Sequence, residues 1–234
     1  LSGDPERSIR LYRTAEQFDF RGVILLEANR FEEMMRLAER FTDQKFIVLN
    51  YMMEGFSDAP KNVYAVVNDD AGGAMRLTGH FIASGCKSMA VMTYTLPYHD
   101  LTYRERVNGF MQAVQDYAVD FDQERDLLEC RTVIPDRDDF IRHAYLETKK
   151  YLTAGNRPDI IFAVNDFIAE GIAKCVADER LPIRVAGYDC LLRELPIRRG
   201  FSSVRVNYAR MGQLAVEIMN QNRAEASRLI KVMP

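Results

Sequence analysis

Short aliphatic and β-branched runs alternate with amphipathic segments along almost the whole chain. Strands that alternate with helices of about ten to fifteen residues are typical of βαβ units, in which parallel strands form a sheet covered by helices on both faces. The segment 158–164, PDIIFAV, is apolar without alternation after its aspartate, as expected of a strand buried on both faces. The pattern therefore predicts an α/β fold with two similar Rossmann-like lobes, parallel sheets, and a cleft between the lobes.

Apolar periodicity and capping residues predict where the individual elements lie. The predicted strands are Gly22–Leu26, Lys45–Leu49, Val63–Val67, Ser88–Thr93, Thr132–Ile134, Asp159–Val164, Ile183–Ala186, Ser203–Val206 and Leu229–Val232. The predicted helices cover residues 4–18, 31–38, 72–83, 103–117, 138–152, 168–177 and 208–219. Residues 190–201 show no clear period.

The charge balance argues against direct contact between this chain and nucleic acid. Its 234 residues include 31 basic and 34 acidic side chains, a net charge of −3, whereas a non-specific DNA binder needs a surplus of Lys and Arg. No apolar stretch approaches the roughly 20 residues that a membrane span requires. The four cysteines form no C-x-x-C pair, which predicts reduced, mostly buried side chains in a cytoplasmic protein.

No motif of a familiar catalytic site occurs in the sequence. It lacks the G-x-S-x-G nucleophile elbow, the G-x-x-x-x-G-K-[ST] phosphate loop, the G-x-G-x-x-G dinucleotide fingerprint and the H-E-x-x-H zinc motif. The histidines, His80, His99 and His143, have no cysteine or carboxylate at ligand spacing. We therefore expect no enzymatic activity, no metal and no cofactor.

Polar residues follow several predicted strands, at the edge where open α/β sheets bind ligands. Asn68, the pair Asn165 and Asp166, and Asp189 each come after a strand, and Arg106 lies near the start of a helix that follows another. On position alone, Asn165 and Asp166 suit a helix N-cap equally well, and Asp189 suits a loop carboxylate. Together they supply a guanidinium, two amides and carboxylates, which are groups that recognise a polyhydroxylated or purine-like ligand.

Five motifs that occur in order resemble the effector-binding domain of the lactose-repressor family, LacI/GalR. They are NDDAGGAMRLTGHFIASGCKSMAVMT, YRERVNGFMQAV, RPDIIFAVNDFIAEGI, VAGYD and SSVRVNYARMGQLAVEIM, within residues 63–219. Phe81 and Cys86 replace the Leu and the second His of the family's H-L-I-x-x-G-H helix motif. The resemblance implies a fold like that of type I periplasmic binding proteins, with the effector between the lobes. The implied first lobe contains residues 1–95 and 206–223, and the second contains 96–205 and 224–234.

The resemblance also implies which residues bind the effector. Arg106, three residues before Gly109, matches the guanidinium that clamps ligand hydroxyls or a carboxylate, so we expect it to be exposed in the cleft. Asn165 and Asp189 match positions that bond the ligand from the second lobe.

Two further positions depart from the family or leave an alternative. Asn68 stands where the family usually has Asp, so we expect Asp69 or Asp70 to supply the first-lobe contact. Tyr208 matches an aromatic residue that packs on the ligand, and its ring could stack on a sugar face. An aromatic residue in the lobe interface is the alternative for Tyr208.

The family domain normally has a strand, a helix and a second strand before the segment that matches residues 2–5, and a final strand beyond the one matching 229–232. We therefore expect the chain to be part of a longer protein. The stretch between Asn165 and Asp189 is also shorter than in the family, near residues 180–182.

The implied function is that of a sensor in a transcriptional regulator. A sugar-like or nucleoside-like effector favours one closure of the lobes and so changes the affinity of a separate N-terminal helix-turn-helix for operator DNA. We expect a homodimer that associates partly through the helix at residues 72–83. The alternatives are a secreted solute-binding protein of a transporter, which a signal peptide upstream would favour, and an α/β enzyme, which turnover of sugars or nucleosides would favour.

Overall fold

The structure is a computed structural model that describes residues 20–26, 31–51, 54–95, 101–131, 137–190, 200–221 and 227–234. Its strands are β1 (Gly22–Leu25), β2 (Lys45–Leu49), β3 (Val63–Asn68), β4 (Met89–Thr95), β5 (Leu127–Arg131), β6 (Ile160–Ala163), β7 (Arg184–Asp189), β8 (Ser202–Arg205) and β9 (Leu229–Val232). Its helices are α1 (Phe31–Arg40), α2 (Asp70–Ala83), α3 (Thr102–Asp116), α4 (Gln123–Asp126), α5 (Arg137–Thr153), α6 (Asp166–Asp178) and α7 (Tyr208–Asn220), with a 3₁₀ turn at Phe56–Asp58.

The strands form two parallel sheets. The first has four strands in the order β1-β2-β3-β9, and the second has five in the order β5-β4-β6-β7-β8. Each strand pairs in parallel with its neighbours. Every residue of β3 and of β6 is buried, as the unbroken apolar run at 158–164 predicts for β6. The predicted α/β fold with two parallel sheets is therefore confirmed.

Two strands lie in a different sheet from the one that the predicted lobe boundaries imply. β4, placed in the first lobe by the 1–95 boundary, pairs with β5 and β6 in the second sheet. β9, placed in the second lobe, pairs with β3 in the first sheet. The reason is that the backbone N–H and C=O groups of a strand need hydrogen-bond partners on neighbouring strands. In the second sheet β4 has a neighbour on each side, and in the first sheet β9 pairs with the edge of β3 that β2 leaves free. The chain thus passes between the sheets through α2 and returns through α7.

Most predicted elements are found within a few residues of their expected bounds, and one described strand was not predicted. β5 covers Leu127–Arg131, and the strand expected at Thr132–Ile134 falls on residues outside that range. Asp122 caps the short helix α4 through the backbone N–H groups of Glu124 and Arg125, so the chain is free to enter a strand at Leu127. Residues 132–136 and the helix predicted at residues 4–18 lie outside the described residues.

Close packing of α2 against α3 determines where the site residues meet. Gly109 of α3 lies so near α2 that a Cβ on it would be 2.0 Å from the carbonyl oxygen of Ala71. The missing side chain lets the two helix backbones approach, which brings the start of α2 next to Arg106, one turn before Gly109. Cys86, Cys130 and Cys175 are buried, as expected. In the part of the chain that the structure describes, no helix is long and apolar enough to cross a membrane.

Candidate functional site

Arg106 is the centre of a buried polar cluster that joins the two sheets. Its Nε donates a hydrogen bond to Asp70 Oδ1 at 2.8 Å, its Nη1 to the carbonyl oxygen of Val164 at 2.7 Å, and its Nη2 lies 2.7 Å from Asp189 Oδ1. Asp70 begins α2, which follows β3 of the first sheet, whereas Val164 and Asp189 lie at the carboxyl ends of β6 and β7 of the second. All three nitrogens of the guanidinium therefore have partners within the protein.

The burial of Arg106 contradicts the expectation that it is exposed in the cleft. Its side chain is 1% exposed. The rings of Tyr188 and Tyr103 lie beside the guanidinium, with centroids 4.0 and 5.7 Å from its Cζ, and these rings help to exclude water. Asp189, at 16%, is more exposed than either Arg106 or Asp70, at 4%. Among these three charged groups, solvent therefore reaches Asp189 most readily.

The first-sheet side of the cluster is built around Asn68, the last residue of β3. Its Nδ2 donates to Asp70 Oδ1 and to the Tyr188 hydroxyl, both at 2.9 Å. The Tyr188 hydroxyl in turn donates to the carbonyl oxygen of Asp70 at 3.3 Å. Asn68 is thus an internal donor, and it fixes the carboxylate of Asp70 at the crossing from the first sheet to the second.

Of the two aspartates expected to replace the family's first-lobe Asp, Asp70 is the one that reaches Arg106. Asp69 instead caps α2, because its Oδ1 accepts from the backbone N–H of Gly72 at 3.3 Å. An aspartate at the N-terminus of a helix satisfies a free N–H group and is favoured by the helix dipole. The cap gives Asp69 a structural role, and its contact with an effector stays a prediction.

Asn165 has the helix-capping role that its position allowed. Its Oδ1 accepts from the backbone N–H of Ile168 at 2.8 Å, and its Nδ2 donates to the Tyr103 hydroxyl at 2.6 Å. Asn165 is buried. The cap holds the amide in one orientation, and the second bond links α6 to the tyrosine beside Arg106.

Asp166, the first residue of α6, is a second buried carboxyl group in this region. Its Oδ1 accepts from the Ser203 hydroxyl at 2.6 Å, and its Oδ2 is buried without a hydrogen-bond partner among the described residues. Burial, together with the charge of Asp189, raises the pKa of Asp166 to about 7. Gly187 of β7 allows this approach, since a Cβ there would lie 2.5 Å from Asp166 Oδ1.

The charges of the central pair depend on one another. Burial alone disfavours a charged guanidinium, but Asp189 and Asp70 outweigh it and raise the pKa of Arg106 well above its usual value. Burial raises the pKa of Asp70, and the ion pair with Arg106 opposes that shift. Each partner thus favours the charged form of the other in a region that excludes water.

The backbone is strained where the exposed carboxylate lies. Asp189 has a φ of 101° and Cys190 a φ of 46°, both in the left-handed region that residues with a side chain rarely adopt. Such conformations cost on the order of 1 to 3 kcal/mol each and are typical of ligand sites. Tyr208, the first residue of α7, is 36% exposed, and burial together with the charge of Asp189 raises the pKa of its phenol.

The arrangement can bind a ligand through hydrogen bonds, with Asp189 as acceptor, and the charge of Asp189 acts on the phenol of Tyr208. The residues described include no group of three or more His, Cys, Asp or Glu side chains that could hold a metal ion. Sequence reasoning missed the roles of Tyr103, Tyr188 and Ser203. A signal existed for two of them, because Tyr103 is one helical turn before Arg106 and Tyr188 precedes Asp189 in the VAGYD motif.

Comparison with known proteins agrees with this architecture. A family profile described as "Periplasmic binding protein-like domain" matches residues 78–230. No curated protein sequence matches the chain.

Several solved structures share the fold. A regulatory protein of the LacI family from Chloroflexus aggregans superposes with a TM-score of 0.77 at 16% identity, covering 100% of this chain and 81% of that one. A LacI family transcriptional regulator from Enterococcus faecium with bound ribose gives 0.72 at 18% identity, with 97% and 80% covered. The transcription regulator CcpA of Lactococcus lactis gives 0.72 at 15% identity, with 98% and 81% covered.

Proposed function

Because the chain belongs to the family of periplasmic binding protein-like domains, we propose that it is the effector-binding domain of a LacI-type transcriptional regulator. The observation that carries the proposal is the Arg106 cluster, which gathers polar groups from the carboxyl ends of strands in both sheets and leaves Asp189 partly accessible. A group shared between two sheets can respond to a change in their relative position, which is what a sensor requires.

We infer that the effector is a small, hydroxyl-rich molecule of the sugar or nucleoside class. Asp189 accepts hydrogen bonds from hydroxyl groups, and Tyr208 offers an aromatic face to a sugar ring. Arg106 supports Asp189 from behind, and Asn165 and Asn68 keep the surrounding tyrosines and Asp70 in place. The ribose in the similar Enterococcus faecium structure supports the same class of ligand. The domain carries out no catalysis in this proposal.

A thermal-shift screen tests the binding function. The panel contains ribose, other pentoses, hexoses, disaccharides and nucleosides. A ligand present at 100 times its Kd stabilises the native state by about 2.7 kcal/mol, which raises the Tm of a domain of this size by roughly 5 to 10 °C. Failure of every sugar and nucleoside to raise the Tm would reject the proposed class of effector.

Two substitutions connect any stabilisation to the site. Asp189→Asn removes the carboxylate that we assign to the effector and should reduce the shift to about half or less. Asp116→Asn is the matched control, since Asp116 is exposed at the other end of α3 and should leave the shift unchanged. Equal shifts in both variants would place the ligand elsewhere.

The regulatory half of the proposal concerns the full-length protein. We propose a cytoplasmic homodimer in which a helix-turn-helix outside this chain contacts operator DNA, which fits the net charge of −3 on the sensor itself. The effector should change the DNA affinity of the full-length protein in a gel-shift titration, and light scattering should show a dimer. A monomer that binds sugar and carries a signal peptide would instead be a secreted solute-binding protein of the same fold.

A further inference from the structure

The two carboxylates on Arg106 differ in exposure, in hydrogen bonding and in backbone geometry. We propose that Asp70 is a positioning residue that holds and neutralises Arg106 permanently, so that Asp189 is the carboxylate that exchanges between Arg106 and the effector. The assignment to Asp189 rests on the proposed function, whereas the assignment to Asp70 rests on the geometry of the cluster alone.

Asp70 is held from three directions. Arg106 of α3 donates to its Oδ1 at 2.8 Å, and Asn68 of β3 donates to the same oxygen at 2.9 Å. The Tyr188 hydroxyl of β7 donates to the main-chain carbonyl of Asp70. Gly73, one turn along α2, lies so close to that tyrosine that an added Cβ would be 2.1 Å from the hydroxyl oxygen. Asp70, whose carboxylate and main chain are held by elements of both sheets, cannot move without disturbing these contacts.

Asp189 is the more accessible of the two carboxylates. Its side chain is 16% exposed, against 4% for Asp70, so water or a ligand hydroxyl can replace its bond to Arg106 at lower cost. Its backbone φ of 101°, followed by 46° at Cys190, is strained. A movement that relaxed this strain would offset part of the free energy of breaking the ion pair. Effector binding at Asp189 would therefore change the backbone at the end of β7.

The ion pair between Asp70 and Arg106 also determines which ligands the site can bind. Asp70 compensates the charge of Arg106, so the carboxylate of Asp189 is left to face the effector. A carboxylate accepts hydrogen bonds from hydroxyl groups but repels phosphate and carboxylate groups. We therefore expect the site to prefer an uncharged sugar over its phosphate ester.

The test compares Asp70→Asn with Asp189→Asn by three measurements: urea unfolding, hydrogen exchange of the Arg106 Nε–H by NMR, and titration with ribose and ribose 5-phosphate. Asp70→Asn should raise the unfolding equilibrium constant about ten- to a hundredfold, because the charged acceptor of a buried hydrogen bond is replaced by a neutral one. It should also accelerate exchange of the Arg106 Nε–H at least about tenfold, since that N–H points at Asp70. Asp189→Asn should leave this exchange protected and should weaken ribose binding about tenfold or more.

Controls separate this proposal from a general loss of structure. Asp69→Asn should change none of the measurements, because Asn caps a helix as well as Asp does. If Asp70→Asn does not fold, Asp70→Glu keeps the charge, displaces it by one methylene, and should still accelerate the Nε–H exchange. Equal exchange in the Asp70 and Asp189 variants would overturn the proposal.

The ligand arm has separate outcomes. If neither ribose nor ribose 5-phosphate binds, that sugar is not the effector, and the exchange and unfolding measurements still decide the role of Asp70. If ribose 5-phosphate binds the native chain more tightly than ribose, the division of roles between the two carboxylates is wrong.

Discussion

Replacement of Arg106 by alanine should destabilise the chain strongly. The substitution removes the partner of Asp70 and of Asp189 and the donor to the carbonyl oxygen of Val164. Removal of one member of a buried ion pair costs about 3 to 5 kcal/mol, because the remaining charge stays buried without compensation. Asp70, at 4% exposure, cannot be hydrated instead. We therefore expect a loss of about 3 to 5 kcal/mol at neutral pH.

Urea unfolding followed by circular dichroism measures this loss. With a slope of about 1 to 3 kcal/mol per molar urea, the midpoint should fall by about 1 to 5 M. The matched control is Arg104→Ala on the same helix. Arg104 is 61% exposed and pairs with Glu54 at 3.0 Å, and exposed pairs contribute about 0 to 1 kcal/mol.

The pH dependence provides an independent check. Without Arg106, the rise that burial causes in the pKa of Asp70 loses its main opposing interaction, so this carboxyl group favours the folded state only while protonated. The stability of Arg106→Ala should therefore fall as pH rises from 4 to 7, and its difference from the native chain should narrow at low pH. A loss no larger than that of Arg104→Ala, together with abolished effector binding, would refute the reasoning and return Arg106 to the exposed role first expected of it.

Three further changes test the packing and the charges around the site. Gly109→Ala should cost about 1 to 3 kcal/mol of stability because its Cβ would overlap a carbonyl of α2. Gly212→Ala in α7, where no atom lies within 4 Å of the new Cβ, should instead stabilise the chain by about 0.5 to 1 kcal/mol. Equal effects of the two substitutions in urea unfolding would contradict the close approach of the helices. Tyr188→Phe should cost about 1 to 3 kcal/mol in thermal unfolding, since two buried groups lose the hydroxyl; an unchanged Tm would mean that these bonds are not formed. Because the pKa of Asp166 is raised to about 7, its contribution to stability is present at acid pH and lost as pH rises through 7. The native chain should therefore lose up to about 4 kcal/mol more than Asp166→Asn between pH 4 and 8, and parallel curves would contradict the burial of the charge.

The local sequence pattern was sufficient to predict the positions of the strands and helices that bury an apolar face. The bounds of β2 and β9 agree with those predicted, because each is a short β-branched run. β5 was not predicted because its residues, LLECR, mix apolar and charged side chains, and its strand pairing depends on β4. The sequence pattern did not show to which of the two sheets each strand belongs. Periodicity reports which face of a strand is buried and not which neighbour completes its hydrogen bonds.

Motif resemblance predicted which residues lie together more accurately than it predicted their exposure. Arg106 and Asp189 do meet, and Asn165 lies near them through Tyr103. The burial of Arg106 depends on Tyr188, which is distant in sequence, and on a helix contact made possible by a glycine. Such exclusion of water arises only when separate elements pack together. A single sequence without its fold therefore predicts the residue types of a site better than their accessibility.

The parallel pairing of β3 with β9 has a consequence for the order of folding. β4 to β8, the strands of the second sheet among the described residues, lie within one continuous stretch of chain, Met89–Arg205, and can pair as soon as that stretch has left the ribosome. The first sheet must instead wait for Leu229–Val232 to emerge before β3 has a partner on its second edge. Until then an apolar strand edge is open to other chains. We expect a nascent chain truncated before β9 to carry a folded second sheet and to need chaperone protection, and its aggregation to stop once residues 229–232 are added.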